Sequence, residues 1–227
     1  MRRLCHDRRV ISRWFLAVVT VLICATTTVG PGATPARADD CADVALVFAR
    51  GTGELPGLGR VGQALADALR PRLGGRSLST YGVNYPASIN FLTTGDGAND
   101  AAANVAATAA QCPGTRIVLG GFSQGGAVVA MLAGVNPLGP TVGNIGSAPP
   151  LAPPLVDRIA AVAVFGGPAA RFGTPLSSTG AFAGRTIDLC AAGDPICEPG
   201  GRSRAAHNSY EFAPFPGQAA GFIAGRV

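Results

Sequence analysis

Gly121-Phe122-Ser123-Gln124-Gly125 is the segment of this chain most able to do chemistry. A serine with glycines two residues before and two after suits a sharp strand-to-helix corner, where small neighbours avoid clashes and the hydroxyl projects past the sheet edge. Otherwise such a serine is an ordinary helix N-cap. As a nucleophile it needs a base within hydrogen-bond reach, because a free hydroxyl attacks poorly. Of two histidines, His6 lies in an N-terminal stretch with the layout of an export signal, which leaves His207. It follows the serine late in the chain, as the order serine, acid, histidine requires.

Four carboxylates lie between them: Asp157, Asp188, Asp194 and Glu198. Asp157 precedes an apolar run and reads as a turn residue, while Asp188 falls within a strand-like segment. Asp194 sits between Cys190 and Cys197, where a closed ring would hold a carboxylate in the fixed position needed to orient an imidazole. Charge developing on a substrate oxygen needs two donors, one after the nucleophile and one from the loop after the first strand. These are the Gln124 N–H, at a helix start that favours negative charge, and Thr52, through its backbone and hydroxyl. Gly51-Thr52-Gly53 makes a poor phosphate cradle, because it lacks the GxxxxGK[ST] pattern.

These groups need a sheet to align them. Residues 44–49 and 159–165 are apolar, rich in β-branched types and without alternation, as strands covered on both faces are. Residues 80–85, 116–119 and 186–189 add shorter strands. Helical spacing of Val61, Leu65, Ala68 and Leu69 stops at Pro71. Residues 96–111 predict an Ala-rich helix starting near Asp96 or Asn99, and residues 125–132 predict another. Strands alternating with helices predict an α/β fold with a mostly parallel, doubly wound sheet of about five strands. Residues 148–154 read as a Pro-rich loop, so 39–227 forms one domain.

The first 38 residues carry a basic start, an apolar run and Ala36-Arg37-Ala38, the layout of a cleaved secretory signal. The run is too short for the roughly 20 residues of a spanning helix. All 18 basic residues are Arg; six of them and one of the 13 acids precede residue 39, which leaves twelve of each sign in 39–227. The formal charge of +5 therefore gives no case for a nucleic-acid partner. Cys41, Cys112, Cys190 and Cys197 remain beyond the signal, an even number that predicts two disulfides in an exported chain. Three pairings are possible, and proximity favours Cys190 with Cys197. No metal or cofactor is required by these residues.

Residues 49–54, Asn84-Tyr85-Pro86-Ala87, the GFSQG pentapeptide, the Cys-x3-Asp-x2-Cys loop and His207-x2-Tyr210 together resemble the cutinase family, and within it the cutinase-like proteins of mycobacteria and related actinobacteria. The resemblance spans 41–227. It implies a lidless α/β-hydrolase fold and a triad of Ser123, Asp194 and His207. It also implies an oxyanion hole from Thr52 and Gln124, and disulfides Cys41–Cys112 and Cys190–Cys197. Asn208 stands where Leu is more usual, and Thr52 where fungal members often have Ser, departures that bear on substrate preference. The expected protein is a secreted monomeric serine esterase, free or held at the cell wall, acting on small-molecule, lipid or polyester esters. Phospholipase, thioesterase or acyltransferase chemistry on the same triad, and a non-catalytic surface protein, are the alternatives. Ile89, Phe91 and Leu92 are expected to rim the cleft. Arg202 and Arg204 either meet an anionic head group or are solvated loop charges.

Overall fold

The computed structural model describes residues 41–139 and 144–227; the export-signal expectation for residues 1–38 lies outside them. Strand β1 (Val44–Ala49) is buried at all six positions. Such a strand needs cover on both faces. With β2 (Leu78–Gly82), β3 (Arg116–Phe122), β4 (Ile159–Phe165) and β5 (Thr186–Leu189) it forms one sheet in the order β2-β1-β3-β4-β5, every pair parallel. The helices are α1 (Gly59–Leu69), α2 (Thr94–Gln111), α3 (Gln124–Leu132), α4 (Pro153–Val156), α5 (Pro168–Arg171), α6 (Arg204–His207) and α7 (Phe215–Ala224).

Alternation along the strands divides the core between the faces. Val47, Ala49, Leu119 and Val164 meet Val105 of α2 and Val128 of α3. Leu46, Phe48, Val118 and Phe165 meet Leu65 and Leu69 of α1 and Ala220 and Ile223 of α7. Each fully buried Leu or Phe contributes roughly 2 kcal/mol of transfer free energy. The register pairs Ala49 with Gly121, Phe122 with Phe165, and Phe165 with Leu189. The C-terminal ends of β1, β3, β4 and β5 therefore share one edge, and the order reverses between β1 and β3, where open α/β sheets form their ligand crevice.

Several boundaries differ from expectation for local reasons. β2 ends at Gly82, short of the expected 85, because the Arg50 guanidinium donates to the carbonyls of Val83 (3.1 Å) and Tyr85 (2.6 Å) and so takes them out of the ladder. β3 runs on through Gly120 and Gly121 to Phe122. A Cβ at Gly120 would lie 2.5 Å from the Phe48 ring, so these glycines permit close packing rather than ending the strand. α2 starts at Thr94, two residues early, with Asp96 in its first turn and no side-chain cap. α7 is absent from the sequence expectation, since Gly217 and Gly221 interrupt its apolar pattern. Disulfides join Cys41 to Cys112 and Cys190 to Cys197. Closing these rings contributes roughly 4.4 and 2.5 kcal/mol in the chain-entropy model. Among the described residues, no helix is long and apolar enough to cross a membrane.

Candidate active site

Ser123 occupies the corner between β3 and α3 with φ 54° and ψ −113°, a left-handed conformation that costs a non-glycine residue energy unless its surroundings impose it. Here they do. A Cβ at Gly121 would lie 2.2 Å from the carbonyl oxygen of Gly125, and one at Gly125 would lie 1.9 Å from that of Ala49. Only glycines let the turn close this tightly against the end of β1. The Ser123 N–H donates to the Phe165 carbonyl at 2.9 Å, tying the corner to β4. The hydroxyl caps no helix bond and is left to point at the imidazole.

Ser203 starts α6, its hydroxyl accepting the Ala206 N–H at 3.1 Å, and His207 is the last residue of that one turn. Its Nε2 lies 2.9 Å from Ser123 Oγ, and its Nδ1 lies 2.9 and 2.8 Å from the two oxygens of Asp194. An ionised carboxylate can only accept, so the network assigns the proton to Nδ1 and leaves Nε2 to accept from the serine. The Phe122 ring lies against the imidazole, centroids 5.1 Å apart.

Asp194 is wholly buried inside the Cys190–Cys197 ring. Burial alone would raise its pKa. Hydrogen bonds from His207, from the Tyr210 hydroxyl and from the Ile196 N–H outweigh that cost and hold the carboxyl below its ordinary value. The other carboxylates expected from chain order are engaged elsewhere: Asp188 accepts from the N–H groups of Leu176 and Ser177, Glu198 accepts from the Gly193 N–H, and Asp157 follows the last residue of α4.

Tyr210 was quoted in the sequence motif without a role. Its buried hydroxyl donates to Asp194 Oδ2 at 2.6 Å and accepts from the Ala191 N–H at 2.8 Å. Burial and then the adjoining carboxylate push its phenol pKa up, so it stays a donor. Asp194, with its lowered pKa, stabilises the folded chain above its ordinary value of 3.8, and that contribution is lost as pH falls through the lowered value. Tyr210→Phe keeps the ring but leaves the Ala191 N–H without its acceptor and Asp194 with one donor fewer. It should destabilise the protein by about 2 kcal/mol at neutral pH and move the acid-unfolding midpoint upward. Urea and acid titrations read both effects, and an unmoved acid midpoint would argue against the link to Asp194.

The expected oxyanion donors stand beside the serine, with one difference. The Thr52 hydroxyl donates to Gln124 Oε1 at 2.9 Å, and Gln124 Nε2 donates to Thr94 Oγ1 at 3.0 Å. This chain occupies the hydroxyl that the sequence made available and leaves the Thr52 and Gln124 backbone N–H groups without an acceptor among the described residues. Glu54 Oε2 accepts the Gly51 N–H at 2.6 Å, and the Gly53 N–H donates to the Ala87 carbonyl at 2.7 Å. Both bonds brace the loop that presents Thr52.

Beside Ser123 a cleft of about 200 Å³ is walled by Phe91, Ala127, Leu138, Ile145, Pro168 and Ile196, with Thr52, Thr94 and Gln124 at its polar end. Of the three residues expected to rim it, Phe91 does. Ile89 and Leu92 are not among the residues that line it, and all three are exposed, with Phe91 the least so. Leu138, Ile145 and Ile196 escaped the sequence reading: they come from separate loops with no periodicity. No group of three or more His, Cys, Asp or Glu among the described residues is placed to hold a metal ion.

The family model described as Cutinase matches residues 40–227. Phospholipase Culp4 of Mycobacterium tuberculosis is 46% identical over 92% of this chain and 90% of its own length. Carboxylesterase Culp1 of the same organism is 40% identical over 93% and 94%. Among solved structures, a Trichoderma reesei cutinase bound to a phosphonate inhibitor is 31% identical, covers 82% of this chain and 76% of its own, and superposes with a TM-score of 0.64. The catalytic core of the Trichoderma reesei acetyl xylan esterase, 22% identical with a TM-score of 0.69 over 83% of this chain and all of its own, shares the fold. Sequence and architecture agree, and the chain belongs to the cutinase family.

Proposed function

We propose that this chain is an exported serine esterase that hydrolyses carboxylic esters of lipid-like or polyester substrates. The observation that carries the reading is the unbroken line of hydrogen bonds from Ser123 through His207 to Asp194 beside two backbone N–H groups without acceptors. His207 Nε2 takes the serine proton as Oγ attacks the carbonyl carbon. The Thr52 and Gln124 N–H groups receive the oxyanion, and Asp194 stabilises the imidazolium without itself being protonated. The imidazolium gives its proton to the departing alcohol. Water, activated by the same imidazole, then releases the acid from the acyl-enzyme.

The apolar wall of the cleft supports an acyl chain as its occupant, and the names of the carboxylesterase and phospholipase relatives agree with ester chemistry. A cleft of about 200 Å³ is small beside the roughly 300–1,000 Å³ of drug-sized pockets. Expected kcat/KM is therefore higher for nitrophenyl butyrate than for the palmitate, in a panel of graded acyl lengths run on disulfide-intact protein. Failure to turn over any carboxylic ester would refute the reading. Export rests on the signal layout of residues 1–38 and on two disulfides, which persist in oxidising compartments. Action as a monomer is part of the same proposal.

A further inference from the structure

Among the twelve arginines of residues 39–227, ten have a partner. Arg50, Arg72, Arg76, Arg116, Arg158, Arg171, Arg185 and Arg226 donate to backbone carbonyls, and Arg60 and Arg70 pair with carboxylates. Arg202 and Arg204 have neither a hydrogen bond nor an ion pair among the described residues. Both are exposed, and both line the same hollow of about 400 Å³, together with Arg171, Pro195, Ile196 and His207. No carboxylate lines it. Glu198, the acid nearest in sequence, is turned onto the Gly193 N–H, and Glu211 onto Arg60.

The hollow adjoins the catalytic cleft on one particular side. Ile196 lines both spaces, and α5 places Pro168 in the cleft and Arg171 in the hollow. His207 also lines the hollow. In the acyl transfer above, the group that departs beside His207 is the alcohol, because the imidazolium protonates it. With the acyl chain against Phe91 and Ile145, the alcohol half of the ester would leave on the His207 side, where the hollow lined by the three arginines begins.

We propose that Arg171, Arg202 and Arg204 form a subsite for a phosphate carried on the alcohol half of the substrate, so that anionic glycerophospholipids are favoured over neutral esters of equal acyl length. The inference rests on the esterase reading and adds the substrate class to it. Guanidinium forks suit phosphate oxygens geometrically. The acyl step is unchanged: Oγ bonds to the acyl carbon, the ester C–O bond breaks, and the phosphoglycerol alcohol leaves with the proton from His207.

The test compares phosphatidylglycerol with diacylglycerol of the same short chains, both dispersed in neutral detergent micelles. In wild type, the kcat/KM ratio of anionic to neutral substrate exceeds one and falls as salt screens the charges. In an Arg202→Ala/Arg204→Ala double variant that ratio drops by roughly 10-fold, as expected for two exposed charges, chiefly through KM. An Arg202→Lys/Arg204→Lys variant, which keeps the charge and loses the fork, falls between wild type and the alanine variant. Inorganic phosphate is the second arm. If it inhibits wild type while the substrate ratio stays near one, the hollow takes free phosphate and the headgroup assignment fails. A ratio that is the same in wild type and in the alanine variant overturns the subsite while neutral-ester turnover still stands. Absence of turnover on both substrates and on nitrophenyl esters fails the esterase reading instead.

Discussion

Ser123→Ala is expected to lower kcat on nitrophenyl esters by about 10⁶ while leaving the protein folded, by analogy with loss of a serine nucleophile that acts as a unit with its base. The size of the loss follows from the mechanism: without Oγ there is no acyl-enzyme, and His207 has no proton to take. A residue of about 10³ over water would persist from the two N–H donors and the cleft. The fold has little reason to respond, because the serine hydroxyl caps no helix bond and alanine meets the same positive φ at similar cost. Melting temperature close to wild type together with lost turnover is the expected pair of results. Turnover above about 1% of wild type would mean that another group attacks the ester.

Gly125→Ala is expected to act in the opposite way, through the fold. The added methyl would lie 1.9 Å from the Ala49 carbonyl oxygen, 2.5 Å from its carbon and 2.8 Å from the Arg50 carbonyl oxygen. All three are backbone atoms at the end of a buried central strand, so no side chain can swing aside. Relief requires α3 to move away from β1, which opens the corner that presents Ser123 and separates Gln124 from Thr52. Overpacking of this kind costs about 3 kcal/mol or more, a large share of the roughly 5–15 kcal/mol that hold a domain folded. A urea midpoint well below wild type, with activity falling along with it, is the expected result. A midpoint equal to that of wild type would contradict the close approach.

The sheet was legible because its central strands are unbroken apolar runs: 44–49 and 159–165 match β1 and β4 residue for residue. The elements misjudged are those where glycine or a distant side chain overrides local pattern, as at Gly120 in β3, at Gly217 and Gly221 in α7, and at the Arg50 guanidinium that shortens β2. Much the same division runs through the candidate site. Ser123, His207 and Asp194 could be picked out because their types are scarce and their order is constrained, His207 above all. The cleft wall could not, since Leu138, Ile145 and Ile196 are ordinary apolar residues in loops brought together only by the sheet edge. Tyr210 lay three residues from His207 in plain sight, yet its bond to Asp194 depends on where the Cys190–Cys197 ring holds that carboxylate. Thr52 shows a finer gap: its residue type suggested a hydroxyl donor, and the partner that occupies that hydroxyl, Gln124 Oε1, lies 72 positions away.

Covalent labelling tests the central claim most directly. An organophosphonate ester should phosphonylate the protein in step with loss of nitrophenyl-ester turnover. Trypsin cuts this Lys-free chain after Arg116 and Arg158, and fragmentation of the peptide 117–158 should place the added mass on Ser123. Ser123→Ala and His207→Ala variants should remain unlabelled. Inactivation with the mass on any other residue, or full turnover by protein labelled at Ser123, would contradict the account.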